Sequence, residues 1–122
     1  MPIHVRFEVP SEIKDKTYEI IEAARDANGV RKGTNEVTKI IERGQAKLVV
    51  MAEDIQPAEV LAHIPLLCEE KGIPYTYVPS KQELGTSAGL QVPTASVAIL
   101  DPGRAKPILD EITAKLLELR AK

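Results

Sequence analysis

The run Arg31-Lys32-Gly33-Thr34-Asn35-Glu36-Val37-Thr38-Lys39 gathers side chains that could recognise a polyanion and read what it carries. Gly33 permits backbone conformations and close approaches closed to other residues. Thr34 or Asn35 can cap a following helix, whose free first-turn amides then form an anion site able to hold a phosphate. Asn35 and Lys39 are four apart and share one helical face. Glu36 is the odd member, because a carboxylate among phosphates is repelled. It makes sense there as an acceptor for base donors, such as the N–H groups of a guanine edge. A carboxamide, a carboxylate and an ammonium can together read exposed purine edges while basic neighbours position the backbone. A regular A-form duplex hides its major groove, so such reading needs a distorted helix or a bulge. By these residues alone, a capped helix with a dipole-matched Glu36 is the simpler account, and both readings stay open.

Catalytic chemistry is harder to assemble. A nucleophilic triad needs a Ser or Cys, a His and an orienting acid. The two histidines are His4, near the N-terminus, and His63, in a helical pattern beside Ile64. The one cysteine, Cys68, lies just past the i+4 neighbour of His63, in apolar company that raises a thiol pKa. Two His and one Cys without ligand spacing cannot close a zinc site, so no metal or other cofactor is expected. Glu53-Asp54 follows a strand end, where α/β enzymes place catalytic groups, yet the pair equally supplies helix-start residues before Pro57. A small hydrolase built on those two carboxylates is the weakest reading. The glycines fit neither a Walker loop nor a GxGxxG turn. A non-enzymatic protein is expected.

Charge narrows the choice further. The formal net charge is −2, which counts against a broadly basic nucleic-acid binder. Residues 31–47 are the exception: Arg31, Lys32, Lys39, Arg43 and Lys47 face only Glu36 and Glu42 there. The acidic excess lies elsewhere, as in Glu53-Asp54, Glu69-Glu70 and Asp110-Glu111. Phosphate attraction is therefore expected on one side only, unless the window is ordinary scatter of surface charge. Aromatics are few, with no Trp, the single Phe7 and three tyrosines, which argues against a base-stacking sheet.

The elements that must position these residues alternate between helical and extended. A first helix is predicted over about Lys14–Ala27, where Ile13, Thr17, Ile20, Ile21, Ala24 and Ala27 recur at helical spacing and Asn28-Gly29 ends the run. Val30–Lys32 reads as a short strand, and a second helix runs from about Asn35 to Arg43, stopped by Gly44. Ala46–Ala52 contains a continuous apolar run, the mark of a buried central strand. Pro57 suits the first turn of a third helix reaching Gly72, in which Pro65 should bend the helix or loosen a turn. Tyr75–Val78 is a strand. Ser80–Gly89 is a short helix with a Ser80/Glu83 capping box, Gln91–Pro93 a loop, and Ala95–Leu100 a strand. A last helix carries Ile108, Leu109, Ile112, Leu116 and Leu119 on one stripe. At 122 residues, without repeat or linker, one domain spanning 1–122 is expected. The pattern predicts an α/β fold, a three-layer α/β/α sandwich on a mixed, mainly four-stranded sheet.

The segment Gly33–Lys39 resembles the signature of the archaeal ribosomal L-seven-Ae family, which includes eukaryotic snoRNP relatives. Leu48–Asp54 (LVVMAED), His63–Cys68 (HIPLLC), Lys71–Tyr77 (KGIPYTY) and Ser80–Gly85 (SKQELG) agree with it in order. The likeness covers nearly the whole chain and is strongest to the archaeal ribosomal branch.

That resemblance implies binding to kink-turns and kink-loops, bulged RNA elements with sheared tandem G·A pairs. It implies that Asn35, Glu36 and Lys39 contact the guanines, with Gly33 and Thr34 letting the helix start approach the backbone and Arg31 and Lys32 beside them. Leu90-Gln91-Val92-Pro93 would pack against a flipped-out nucleotide, with Lys81 near phosphates. Gln56 and Val60 join the expected contacts, and Gln56 stands where relatives commonly carry an acid, so its bond to the extruded base would differ. Val92 stands where some eukaryotic relatives place an Arg. The implied homes are the large ribosomal subunit, box C/D and H/ACA guide particles and RNase P, with rRNA, guide RNAs, RNase P RNA and other ribonucleoprotein core proteins as partners. No signal peptide or membrane span is read in the chain, the lone cysteine suits a reducing compartment, and a cytoplasmic monomer is expected. The alternative is a protein-interaction module on the same fold.

Overall fold

A computed structural model describes residues 4–121 of the chain. In chain order the elements are α1 (Ser11–Asp26), β1 (Val30–Lys32), α2 (Thr34–Glu42), β2 (Leu48–Ala52), α3 (His63–Lys71), β3 (Tyr75–Val78), α4 (Lys81–Ser87), β4 (Ser96–Ile99) and α5 (Lys106–Ala121). Short 3₁₀ turns at Ala58–Leu61 and Gly103–Ala105 lead into α3 and α5.

The sheet order is β1-β4-β2-β3. β4 runs antiparallel to both β1 and β2, while β2 and β3 are parallel, joined by the α3 crossover that a parallel pair requires. α1 packs with α4 and α5, and α2 packs with α3, so two groups of helices enclose the sheet. This is the predicted mixed four-stranded α/β sandwich. All five residues of β2 are buried, as a continuous apolar run covered on both faces should be. Tyr75 and Tyr77 are also buried, and Phe7 from the N-terminal arm packs its ring against theirs, tilted on Tyr75 at 5.5 Å and edge-on to Tyr77 at 5.3 Å. His4 is wholly buried too; its Nε2 meets the Ala52 carbonyl at 2.7 Å, and its own carbonyl accepts from the Tyr77 hydroxyl at 2.6 Å. No helix among the described residues is long and apolar enough to cross a membrane.

Three boundaries depart from expectation. α1 begins at Ser11, because Pro10 turns the chain and its carbonyl accepts the amides of Ile13 and Lys14; this first turn carries no apolar marker before Ile13. The third helix is divided. Pro57 precedes a 3₁₀ turn, and the regular helix starts only at His63, placing Pro65 in the first turn, where its missing N–H removes no helical bond and no bend is needed. Thr34 and Asn35 do not cap α2. Gly33 holds the cap position with φ 93°, a conformation that strains residues with a Cβ, and no side chain bonds to the free amides there. Thr34 is already helical and turns its hydroxyl toward Ser96.

Candidate nucleic-acid interface

Strand direction decides where the chemistry-bearing segments meet. Lys32 lies opposite Val97, Met51 opposite Ser96, and Ala52 beside Val78. The ends of β1, β2 and β3 and the beginning of β4 therefore share one end of the sheet. Gly33 and α2 leave from the first, residues 53–60 from the second and Lys81 with α4 from the third; the loop 88–94 arrives at the fourth. Backbone bonds stitch the junctions: Gly33 N–H to the Ser96 carbonyl (3.2 Å), Ala52 N–H to Ala95 (2.9 Å) and Glu53 N–H to Val78 (2.9 Å). The sequence-predicted site residues, though spread from Arg31 to Pro93, lie on the segments that meet at this end, except that Arg31 turns its guanidinium back toward the start of β1.

At its centre is the start of α2. Val37, Ile40 and Ile41 bury one stripe of the helix against the sheet, which leaves Asn35, Glu36 and Lys39 exposed on the other side. Lys32 and Lys81 are exposed as well, and none of the ion pairs among the described residues involves Lys32, Lys39 or Lys81. Compensated charge sits elsewhere: Glu12, Lys16, Glu111 and Lys115 form a cluster between α1 and α5, whose lysines hold both carboxyls below the usual range. Arg31 is half-buried, its guanidinium donating to the carbonyls of Val30 (2.9 Å) and Asn28 (3.3 Å). Arg43 and Lys47 do not join the site. They lie at the far ends of α2 and β2, roughly 13–15 Å away by helix rise and strand rise, so the basic window of the sequence is split in space.

Two further walls flank α2. Glu53–Glu59, with exposed Gln56, line an open hollow of about 440 Å³, and the adjoining Val60 is 46% exposed. On the other side the loop residues Gln91, Val92 and Pro93 are exposed, Val92 by 62%, whereas Leu90 is half-buried and so less available than expected. The loop is seated on α4: the Leu90 amide donates to the Gly85 carbonyl (2.8 Å) and the Thr94 amide to the Lys81 carbonyl (3.1 Å). A Cβ at Gly85 would collide with the Val92 carbonyl oxygen. A lone glycine inside a helical pattern is a signal of such close approach.

The Glu53-Asp54 pair also finds structural work. Asp54 Oδ1 accepts from the Lys81 amide (2.8 Å), satisfying the start of α4, not the helix that follows it in sequence, while Ser80 Oγ accepts from the Glu83 amide (3.2 Å) as predicted. Glu53 stands 3.9 Å from Lys14. Cys68 is fully buried, and burial pushes its thiol up to about 12, so at neutral pH it is a neutral core group. His63 is bonded to Thr38 at 2.9 Å. Among the described residues no three His, Cys, Asp or Glu side chains are grouped to hold a metal.

The arrangement is an exposed helix start between two walls, one hollow and one apolar, with uncompensated cations around it. The chain is similar in structure to the Giardia lamblia 15.5kD RNA binding protein, with a TM-score of 0.88 and 31% sequence identity over 98% of each chain. Residues 15–109 match the model of the Ribosomal protein L7Ae/L30e/S12e/Gadd45 family, a span that takes in the sheet, α2 and both walls. On that match, and on a likeness to a solved relative that runs nearly end to end, the chain belongs to the L7Ae/L30e/S12e/Gadd45 family.

Proposed function

We propose that this protein binds RNA bent sharply at tandem sheared G·A pairs, and holds the bend without catalysing a reaction. Membership of the family and the RNA binding named for the Giardia relative support RNA as the ligand. One observation carries the finer reading: Asn35, Glu36 and Lys39 stand exposed together at the start of a helix whose free amides face the same solvent. Glu36 accepts from guanine N–H groups, Asn35 pairs donor with acceptor on a purine edge, and Lys39 donates to a carbonyl or N7. The amides behind Gly33 and the cations Lys32 and Lys81 take the phosphates of the kinked strands. Gln56 and Val60 meet the nucleotide extruded by the kink, Gln56 with a neutral carboxamide, and the loop Leu90–Pro93 covers its other side. Arg31 swings from its carbonyl partners to a phosphate when RNA arrives.

Such a surface favours bent over extended RNA because only the bend presents guanine edges and phosphates at once, so binding shifts the population toward it. The biological reading is a cytoplasmic, monomeric component of the large ribosomal subunit, of box C/D and H/ACA guide particles and of RNase P, assembling beside separate core proteins. A gel shift with one kink-turn RNA, and with the same RNA carrying a disrupted G·A pair, tests it. Tight binding of the first and loss of the second is expected. Equal or absent binding would overturn the reading in favour of a protein-interaction module.

A further inference from the structure

Thr94 is the residue at which the apolar wall of the site is tied to the starts of α4 and α2. It is buried to 8% exposure immediately after the exposed Gln91–Pro93 tip. Its amide donates to the Lys81 carbonyl at 3.1 Å, fastening the end of the loop to the start of α4. Its hydroxyl donates to the Ser96 carbonyl at 3.2 Å. That same carbonyl accepts the Gly33 amide at 3.2 Å, and the Ser96 hydroxyl lies 3.4 Å from the Thr34 hydroxyl. Thr94 and Ser96 thus connect the apolar loop, the start of α4 and the start of α2 within a few bonds.

The hydroxyl is not needed to satisfy the carbonyl it meets. Ser96 O already has the Gly33 amide, so a valine at position 94 would fill the same volume and leave no carbonyl orphaned. What the hydroxyl adds is direction: it fixes the side chain against the β1–β4 junction and so sets where residues 90–93 stand relative to Gly33. A site that must engage both faces of a kink gains from walls held in place before binding, because ordering them afterwards would subtract from affinity.

We propose that Thr94 is a positioning residue of the RNA site, setting the loop against the start of α2 through its hydroxyl; the proposal rests on the RNA-binding reading above. The test is a cycle of dissociation constants for one kink-turn RNA, using the full chain as wild type, Thr94→Ser and Thr94→Val, each alone and with Val92→Ala. Thr94→Ser, which keeps the hydroxyl, is expected to bind within about twofold of wild type. Thr94→Val is expected to weaken binding about three- to tenfold, the scale of one lost hydrogen bond. With Val92→Ala present that penalty should shrink below about twofold, because the loop it positions has lost its apolar contact. Wild-type affinity in Thr94→Val, or the same penalty in both backgrounds, would overturn the proposal, the latter outcome marking a general loss of stability. Thr94→Ala replaces Thr94→Val in the cycle if the valine variant does not fold.

A second measurement needs no RNA and separates this proposal from the function it rests on. Amide hydrogen exchange at Leu90 and at position 94, the loop amides bonded to the Gly85 and Lys81 carbonyls, should be at least about tenfold faster relative to the unfolded-chain rate in Thr94→Val than in Thr94→Ser. Unchanged exchange sinks the clamp even if RNA binds. Faster exchange with no RNA binding by the wild type keeps the clamp and removes the function.

Discussion

The Thr38 hydroxyl donates its single hydrogen to the Thr34 carbonyl at 2.7 Å, so the 2.9 Å bond between Thr38 Oγ1 and His63 is donated by the imidazole Nε2–H. The proton position on an otherwise ordinary surface histidine is therefore dictated from the neighbouring helix. His63 opens α3 and Thr38 lies midway along α2, so the bond ties the helix bearing Glu36 to the segment that follows Val60.

In mildly alkaline buffer, long-range nitrogen–proton correlation spectra are expected to place the neutral-ring proton of His63 on Nε2. Thr38→Val should release that preference. A proton found on Nδ1 in the wild type would contradict the assignment. Since the bond is exposed, His63→Leu should cost only about 0.5–1 kcal/mol of stability, read by denaturant unfolding.

Glu36→Ala should weaken binding of a G·A-containing kink-turn by about 1–3 kcal/mol, by analogy with base readout in DNA. Lys47, at the far end of β2, should matter little to affinity, and its replacement should flatten the salt dependence by no more than one phosphate contact would. Calorimetric titration over a range of salt separates the two. Unchanged affinity in Glu36→Ala would remove the base-reading role from that residue.

Gly85→Ala should be among the most damaging single-methyl changes in the chain. Its Cβ meets the Val92 carbonyl oxygen, which is backbone and cannot turn aside. Overpacking of this kind typically costs about 1–3 kcal/mol, and here it must also lift the loop 90–93. Thermal unfolding and RNA affinity should fall together, and an alanine variant with wild-type values in both would show that the loop yields freely.

The pH dependence on the alkaline side follows from the core. Cys68 is pushed up to about 12 by burial, from an ordinary value of 9.0, and burial raises Tyr75 and Tyr77 in the same direction. Between those pH values the unfolded chain gives up a thiol proton that the folded chain keeps. The stability associated with Cys68 is therefore intact below about pH 9 and declines as pH climbs toward 12. Unfolding free energies measured across that window should fall more steeply in the wild type than in Cys68→Ala. Below it the folded protein's thiol should be inert to alkylation.

Much of this was legible in the residues. Helical spacing, Gly44 and Gly72 after helices, and the unbroken run Leu48–Ala52 state the elements directly, because local turns and apolar periodicity are local physics. The Gly33–Lys39 segment was legible as a chemistry, though its cap was not: choosing among Gly33, Thr34 and Asn35 depends on Ser96, which arrives from β4. The same holds for Asp54, which satisfies a helix start 27 positions later, and for the division of the third helix. Arg43 and Lys47 fall in the same basic window as Lys32 in sequence, yet strand direction sends them to the opposite end. What the sequence hid is what strand pairing decides.

The gathering of the site from β1, β2, β3 and β4 has a consequence for biogenesis. No fragment ending before Pro93 contains the whole of the surface proposed to bind RNA, and no strand can contribute its share until its neighbours have paired. On that reading a chain still emerging from the ribosome would have little hold on RNA, and completion of the sheet would have to precede binding. Bound RNA would in turn return stability to the whole domain, because it engages the native state alone.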